Sequence, residues 1–125
     1  MNNPIGWFEL YVSDMARAVK FYESVFKIKL EPIGNPTEEQ LVMRGFPSDM
    51  SAYGASGALV CTEGVSPSNN STIVYFSCEN CAEEEARVGV SGGSIVRSKM
   101  SIGDYGYVAL ANDSEGNMIG LHSMN

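Results

Sequence analysis

No stretch of the 125 residues approaches the roughly 18 consecutive apolar residues needed to cross a bilayer as a helix. Nothing from Met1 to Glu9 sets a basic region before an apolar core, so no secretory signal is expected. Positive charge is scarce: 8 Lys+Arg stand against 15 Asp+Glu, for a net charge of −7. Such a chain repels phosphate backbones and anionic lipid, so neither nucleic acid nor a membrane is expected as a partner. The 3 cysteines are an odd number, which argues against a closed disulfide framework and for a reducing, cytoplasmic setting. The sequons starting at Asn69, Asn70 and Asn112 then read as turn residues rather than glycosylation sites.

What is there is ordinary globular material, 44% hydrophobic and 18% charged, at a length that fits one domain over residues 1–125. Ile5 to Val12 alternates, with Trp7, Glu9 and Tyr11 on one face and Phe8, Leu10 and Val12 on the other, the pattern of a strand. Ser13 or Asp14 stands where a helix cap belongs, and apolar residues from Met15 to Phe26 recur at helical spacing. Strands follow at Lys27 to Ile33, Gln40 to Phe46 and Gly57 to Glu63, with a turn at Gly34-Asn35-Pro36 and a loop at Pro47 to Ser56.

Beyond a Ser-, Pro- and Asn-rich stretch the pattern restarts. Thr72 to Cys78 reads as a strand, Asn80 as a cap, and Cys81 to Val90 as a helix stopped by Gly92-Gly93. Ser94 to Lys99, Tyr105 to Ala111 and Met118 to Ser123 complete the set as strands. The order is βαβββ twice, one module over 1–64, a linker over 65–70 and a second module over 71–125. A sheet with one helix is covered on one face only. Two such modules predict an α+β fold with a curved, mostly antiparallel sheet whose inner faces enclose a cavity.

Three segments carry a resemblance. Phe8 to Tyr22 looks like the opening strand, cap and Phe-Tyr helix of the vicinal oxygen chelate superfamily, the glyoxalase-like fold. Val74 to Asn80 is similar to the start of that family's second module, and Asp113 to Leu121 to its closing turn and strand. Metal-dependent members hold a divalent cation with His, Glu or Gln from four strands. The resemblance puts those positions at Trp7, Ile73, Gly120 and near Val60 or Cys61. Trp, Ile and Gly offer a cation no side-chain lone pair, so no metal and no other cofactor is expected. Family members also commonly pair two chains, which implies a homodimer.

By strand alternation the inward face gathers Trp7, Glu9 and Tyr11 with Ile73, Tyr75 and Ser77, and with Met118, Gly120 and His122. Glu9 and His122, the sole histidine, form the one pair in this set able to titrate near neutrality and do acid–base work. The bland alternative makes Glu9 a structural hydrogen-bond acceptor and His122 a half-exposed strand-end residue. Trp7, Tyr11, Tyr75, Tyr105, Tyr107 and Met118 are candidates to line a pocket for a flat or apolar ligand, although aromatics on strands are more often plain core.

Cys78-Glu79-Asn80-Cys81 has C-x-x-C spacing but lacks a second ligand pair for zinc, and reads as structural. Ile102 to Gly106 reads as a pocket-rim turn or a hairpin entry, and Glu83 to Glu85 as a solvated helix face. The expected function is metal-independent binding of a small organic molecule. The alternatives are a metal-dependent lyase, isomerase or dioxygenase recruiting Glu9, His122 and Glu63, with Cys61 as an optional addition, and an interaction protein with a vestigial pocket.

Overall fold

The computed structural model describes residues 3–34, 41–65 and 72–125. The predicted turn at Asn35-Pro36, the start of the third strand at Gln40 and most of the linker, residues 66–70, lie outside them. The chain divides into two units, one of Trp7–Thr72 and the other of Met1–Gly6 with Ile73–Asn125. Each carries a four-stranded sheet with one helix on it, and the fold is α+β, two βαβββ modules in sequence.

In the unit of residues 7–72 the elements are β1 (Ile5–Tyr11), α1 (Met15–Phe26), β2 (Glu31–Ile33), β3 (Leu41–Gly45) and β4 (Ser56–Thr62). Their sheet order is β2-β3-β4-β1, antiparallel except for the parallel pair β1 and β4. Asp14 caps α1, its Oδ1 accepting the Arg17 N–H at 3.0 Å, which satisfies one of the orphan donors of the first turn. Lys27, in the left-handed region at φ 54°, ends the helix.

The strand predicted from Lys27 to Ile33 is shorter than expected. Lys27 belongs to the helix stop, and the Leu30 N–H goes to Glu23 Oε2 at 2.8 Å, so pairing begins only at Glu31. Phe8 packs on Phe46 and Tyr22 packs edge-on against the same ring, which fixes α1 to the face of Phe8 and Leu10. Trp7, Glu9 and Tyr11 therefore point to the opposite face, because strand parity is two. Gly57 is obligatory here: a Cβ on it would run into the Phe8 ring.

In the second unit β5 (Thr72–Ser77), α2 (Cys81–Val88), β6 (Ser94–Ser101), β7 (Tyr107–Asn112) and β8 (Met118–Ser123) give the sheet order β5-β8-β7-β6. Only β5 and β8 are parallel within it. The helix predicted to Val90 stops at Val88 and tightens into a 3-10 turn at Gly89–Ser91, closed by Gly92 at φ 99°. Cys81, Ala109 and Leu121 form the core under α2, with Phe76, Cys78 and Tyr107 packed against them.

The strand predicted from Tyr105 begins at Tyr107 instead. Residues Gly103–Tyr105 make a 3-10 turn, and Gly106, at φ 100° and ψ −132°, occupies a backbone region that side chains rarely adopt. The acidic run is not uniformly solvated: Glu85 Oε1 accepts the Lys99 N–H at 2.7 Å, while Glu83 is exposed. No helix among the described residues is long and apolar enough to cross a membrane.

Candidate functional site

The helix-free face of the first unit brings three predicted residues together. Glu9 is 9% exposed, one of the few buried charged or polar side chains among the described residues. Its Oε2 accepts from Trp7 Nε1 at 3.2 Å and its Oε1 from the Tyr11 hydroxyl at 3.0 Å. A buried carboxylate needs such donors, since desolvation without them is costly. Parallel register places Ala58 beside Glu9 and Val60 beside Tyr11. A small and a branched apolar residue thus neighbour Glu9 and Tyr11 in the sheet. Cys61, one residue on, falls on the other face, its Sγ 3.9 Å from the Ser13 carbonyl oxygen. Cys61 and Glu9 therefore stand on opposite faces of this sheet.

On the helix-free face of the second unit Tyr75 and Gly120 are register partners across the parallel pair β5 and β8. The Tyr75 ring lies so close over Gly120 that a Cβ there would overlap it. His122 follows two residues on, with Ser77 as its register partner. Its Nε2 stands 2.6 Å from the Tyr105 carbonyl oxygen. Met118, half-buried, pairs with Asn112 at the start of the strand.

Tyr105 contributes its backbone here, its side chain being 54% exposed on the turn. Tyr107 is corrected as a pocket residue. It pairs with Ser123, packs on the core under α2, and carries the Lys99 ammonium 4.6 Å from its ring centroid. Glu9 belongs to one unit and His122 to the other.

The metal positions implied by the resemblance do not fit a cation. The Trp7 indole donates and is used on Glu9, Ile73 is a buried hydrocarbon, and the Tyr75 ring excludes any side chain at Gly120. Among the described residues no three His, Cys, Asp or Glu side chains gather as a metal would require. The C-x-x-C pair is structural in its geometry. Cys81 is fully buried, and burial, reinforced by the Glu84 charge, pushes the Cys78 thiol up to about 11.

Residues 4–121 match the profile of the Glyoxalase/Bleomycin resistance protein/Dioxygenase superfamily. The chain belongs to that superfamily. Solved structures carry the same fold at low identity. A hypothetical protein from Bacillus halodurans is 12% identical over 100% of this chain and 96% of its own, with a TM-score of 0.75. Methylmalonyl-CoA epimerase from Mycobacterium tuberculosis is 13% identical over 98% and 88%, with a TM-score of 0.70. A variant of the Streptomyces coelicolor methylmalonyl-CoA epimerase, in complex with 2-nitronate-propionyl-CoA, is 14% identical over 96% of each chain, with a TM-score of 0.66. No curated protein sequence matches this chain significantly.

Sequence reasoning missed two contributors. The Tyr105 carbonyl is a backbone group and leaves no trace in residue identity. Buried Ser123, whose Oγ accepts the Cys81 N–H at 3.0 Å, acts across 42 positions and helps Asn80 cap α2. Parity alone could have flagged Ser123, since a hydroxyl on the core face of a strand needs a partner.

Proposed function

We propose that this superfamily member binds small organic molecules without a metal, and that each unit, taken by itself, offers a candidate surface for this on its helix-free sheet face, with Glu9 in one and His122 in the other. The observation that carries the reading is the buried Glu9 carboxylate, held by the Trp7 indole and the Tyr11 hydroxyl. A carboxylate fixed between two aromatic donors is an orienting group for a ligand, with flat apolar surface on either side. The epimerases of the same fold support small-molecule binding only as a property of the fold, since identity to them is 13–14%. Metal independence rests on Trp7, Ile73 and Gly120, of which Gly120 is closed off by Tyr75.

Two measurements test this reading. Elemental analysis of the purified chain should find less than one divalent cation per molecule, and chelator should leave the melting temperature unchanged. Titration with a set of aromatic fragments, followed through the single Trp7, should give saturable binding that Glu9→Gln weakens about tenfold, the effect of losing one charged hydrogen bond of about 1.4 kcal/mol. One tightly held metal per chain, or equal affinity in the Gln variant, overturns the reading.

A further inference from the structure

The His122 contact has a chemical consequence. A carbonyl oxygen can only accept, so at 2.6 Å from Tyr105 O the Nε2 of His122 must carry the hydrogen. In the neutral ring the lone pair then resides on Nδ1, the atom turned away from Tyr105. Among the described residues Nδ1 has no hydrogen-bond partner, and neither has the hydroxyl of Ser77, the register partner of His122 on β5.

The carbonyl is itself held in place. The Ile102 N–H donates to Gly106 O at 2.9 Å and the Gly106 N–H to Gly103 O at 3.2 Å, closing the turn around Tyr105. Gly106 sits at φ 100°, and a Cβ on it would meet the Ser123 carbonyl oxygen and, at 3.0 Å, the Met124 sulfur. On the other side Gly6 leaves space for the Ser77 hydroxyl, where any Cβ would collide with it. Two glycines therefore frame an imidazole and a hydroxyl, side by side and half-buried to exposed on the helix-free face.

We propose that the Gly103–Gly106 turn locks the tautomer of His122, so that Nδ1 is presented beside the Ser77 hydroxyl as a paired recognition site. The group it takes offers an N–H or O–H to Nδ1 and an acceptor oxygen to Ser77, as a primary amide does. His122 is the accepting residue, and Tyr105 and Gly106 are positioning residues that act through it. The ligand rests on the function proposed above, but the lock does not. It exists in the free protein.

The test uses the full chain with nitrogen-15 in its only histidine, at a pH above the imidazole range. One-bond and two-bond proton–nitrogen correlations should show a pyrrole-type Nε2 whose hydrogen is protected from exchange with water, and a pyridine-type Nδ1. Diethylpyrocarbonate, which acylates an unprotonated imidazole nitrogen, should add to Nδ1. Gly106→Ala should abolish the exchange protection and spread the adduct over both nitrogens.

A pyridine-type Nε2, an unprotected Nε2 hydrogen, or an adduct on Nε2 in the wild type overturns the proposal even if Gly106→Ala fails to fold. A folded Gly106→Ala variant with unchanged protection overturns the role of the turn. None of these readings depends on ligand, so failure of the lock is distinct from failure of small-molecule binding.

Discussion

The aromatic ring of Tyr75 covers Gly120 so closely that no side chain can stand on that residue. The two are register partners, and the ring takes the volume that a side chain on β8 would otherwise fill. Because Gly120 does not have a positive φ, the constraint is one of space rather than backbone conformation. Gly120→Ala should lose about 1–3 kcal/mol through overpacking. Tyr75→Ala alone should lose about 3–5 kcal/mol, as buried aromatics do when truncated. In the double variant the Ala at 120 no longer meets a ring, so the losses should fall short of their sum by 1 kcal/mol or more. Urea midpoints of the four proteins decide it, and additive losses refute the steric relationship.

Ser123 gives a second stability prediction. Its hydroxyl is 1% exposed, accepts the Cys81 N–H and donates to the Asn125 carbonyl at 2.9 Å. Ser123→Ala leaves the N–H of fully buried Cys81 without that partner. The expected cost is about 1–3 kcal/mol. Amide exchange at Cys81 should accelerate with it, a local readout that a loss of packing elsewhere would not give.

Cys78 gives a prediction in pH. Burial first, and then the Glu84 carboxylate, hold its thiol at about 11 against an ordinary 9.0, which leaves about a hundredfold less thiolate at any pH below 9. A thiol alkylating agent at pH 8 should therefore label Cys61 and leave Cys78 and buried Cys81 slow. The linkage runs the same way. Below pH 9 the thiol is neutral folded or unfolded and contributes no pH dependence. Between 9 and 11 only the unfolded chain ionises, so stability falls as pH rises. Rapid labelling of Cys78 in the native protein would contradict this.

How far the sequence reaches is visible in where it stops. Helix α1 and strand β8 run over the residues that periodicity assigns them, Met15–Phe26 and Met118–Ser123, because each has a local signal: a cap at Asp14 and an alternating strand after a turn. The parity of β1 is equally legible, and the hydrogen bonds of Trp7 and Tyr11 to Glu9 follow from it. Lys27 to Leu30 alternates like a strand, yet Glu23 claims the Leu30 amide, a contact seven residues long that alternation does not encode. Tyr105 reads as a strand residue until Gly106 adopts its positive φ and turns the chain. Tyr75 over Gly120 and Ser123 under Cys81 are separated by 45 and 42 positions, and only strand pairing brings them together.

Glu9 provides the last prediction, which separates a structural carboxylate from one that orients a ligand. Its two oxygens accept from Trp7 Nε1 and the Tyr11 hydroxyl. In Glu9→Gln the amide oxygen can still accept from the indole, and the amide nitrogen can donate to the Tyr11 oxygen, because a phenol both donates and accepts. The shape and both contacts survive with the role of Tyr11 reversed, so the Gln variant should remain within about 1 kcal/mol of wild type. Glu9→Leu keeps the bulk but leaves the indole N–H and the hydroxyl without this acceptor, at a cost of about 1–3 kcal/mol. Only the Leu variant should shift the emission of Trp7, whose N–H then loses the oxygen it meets in the native fold. Urea titrations followed by that emission read both effects in one experiment. If Gln destabilises as much as Leu, the negative charge itself holds the fold together. Glu9 is then a structural anion rather than a group kept for a ligand.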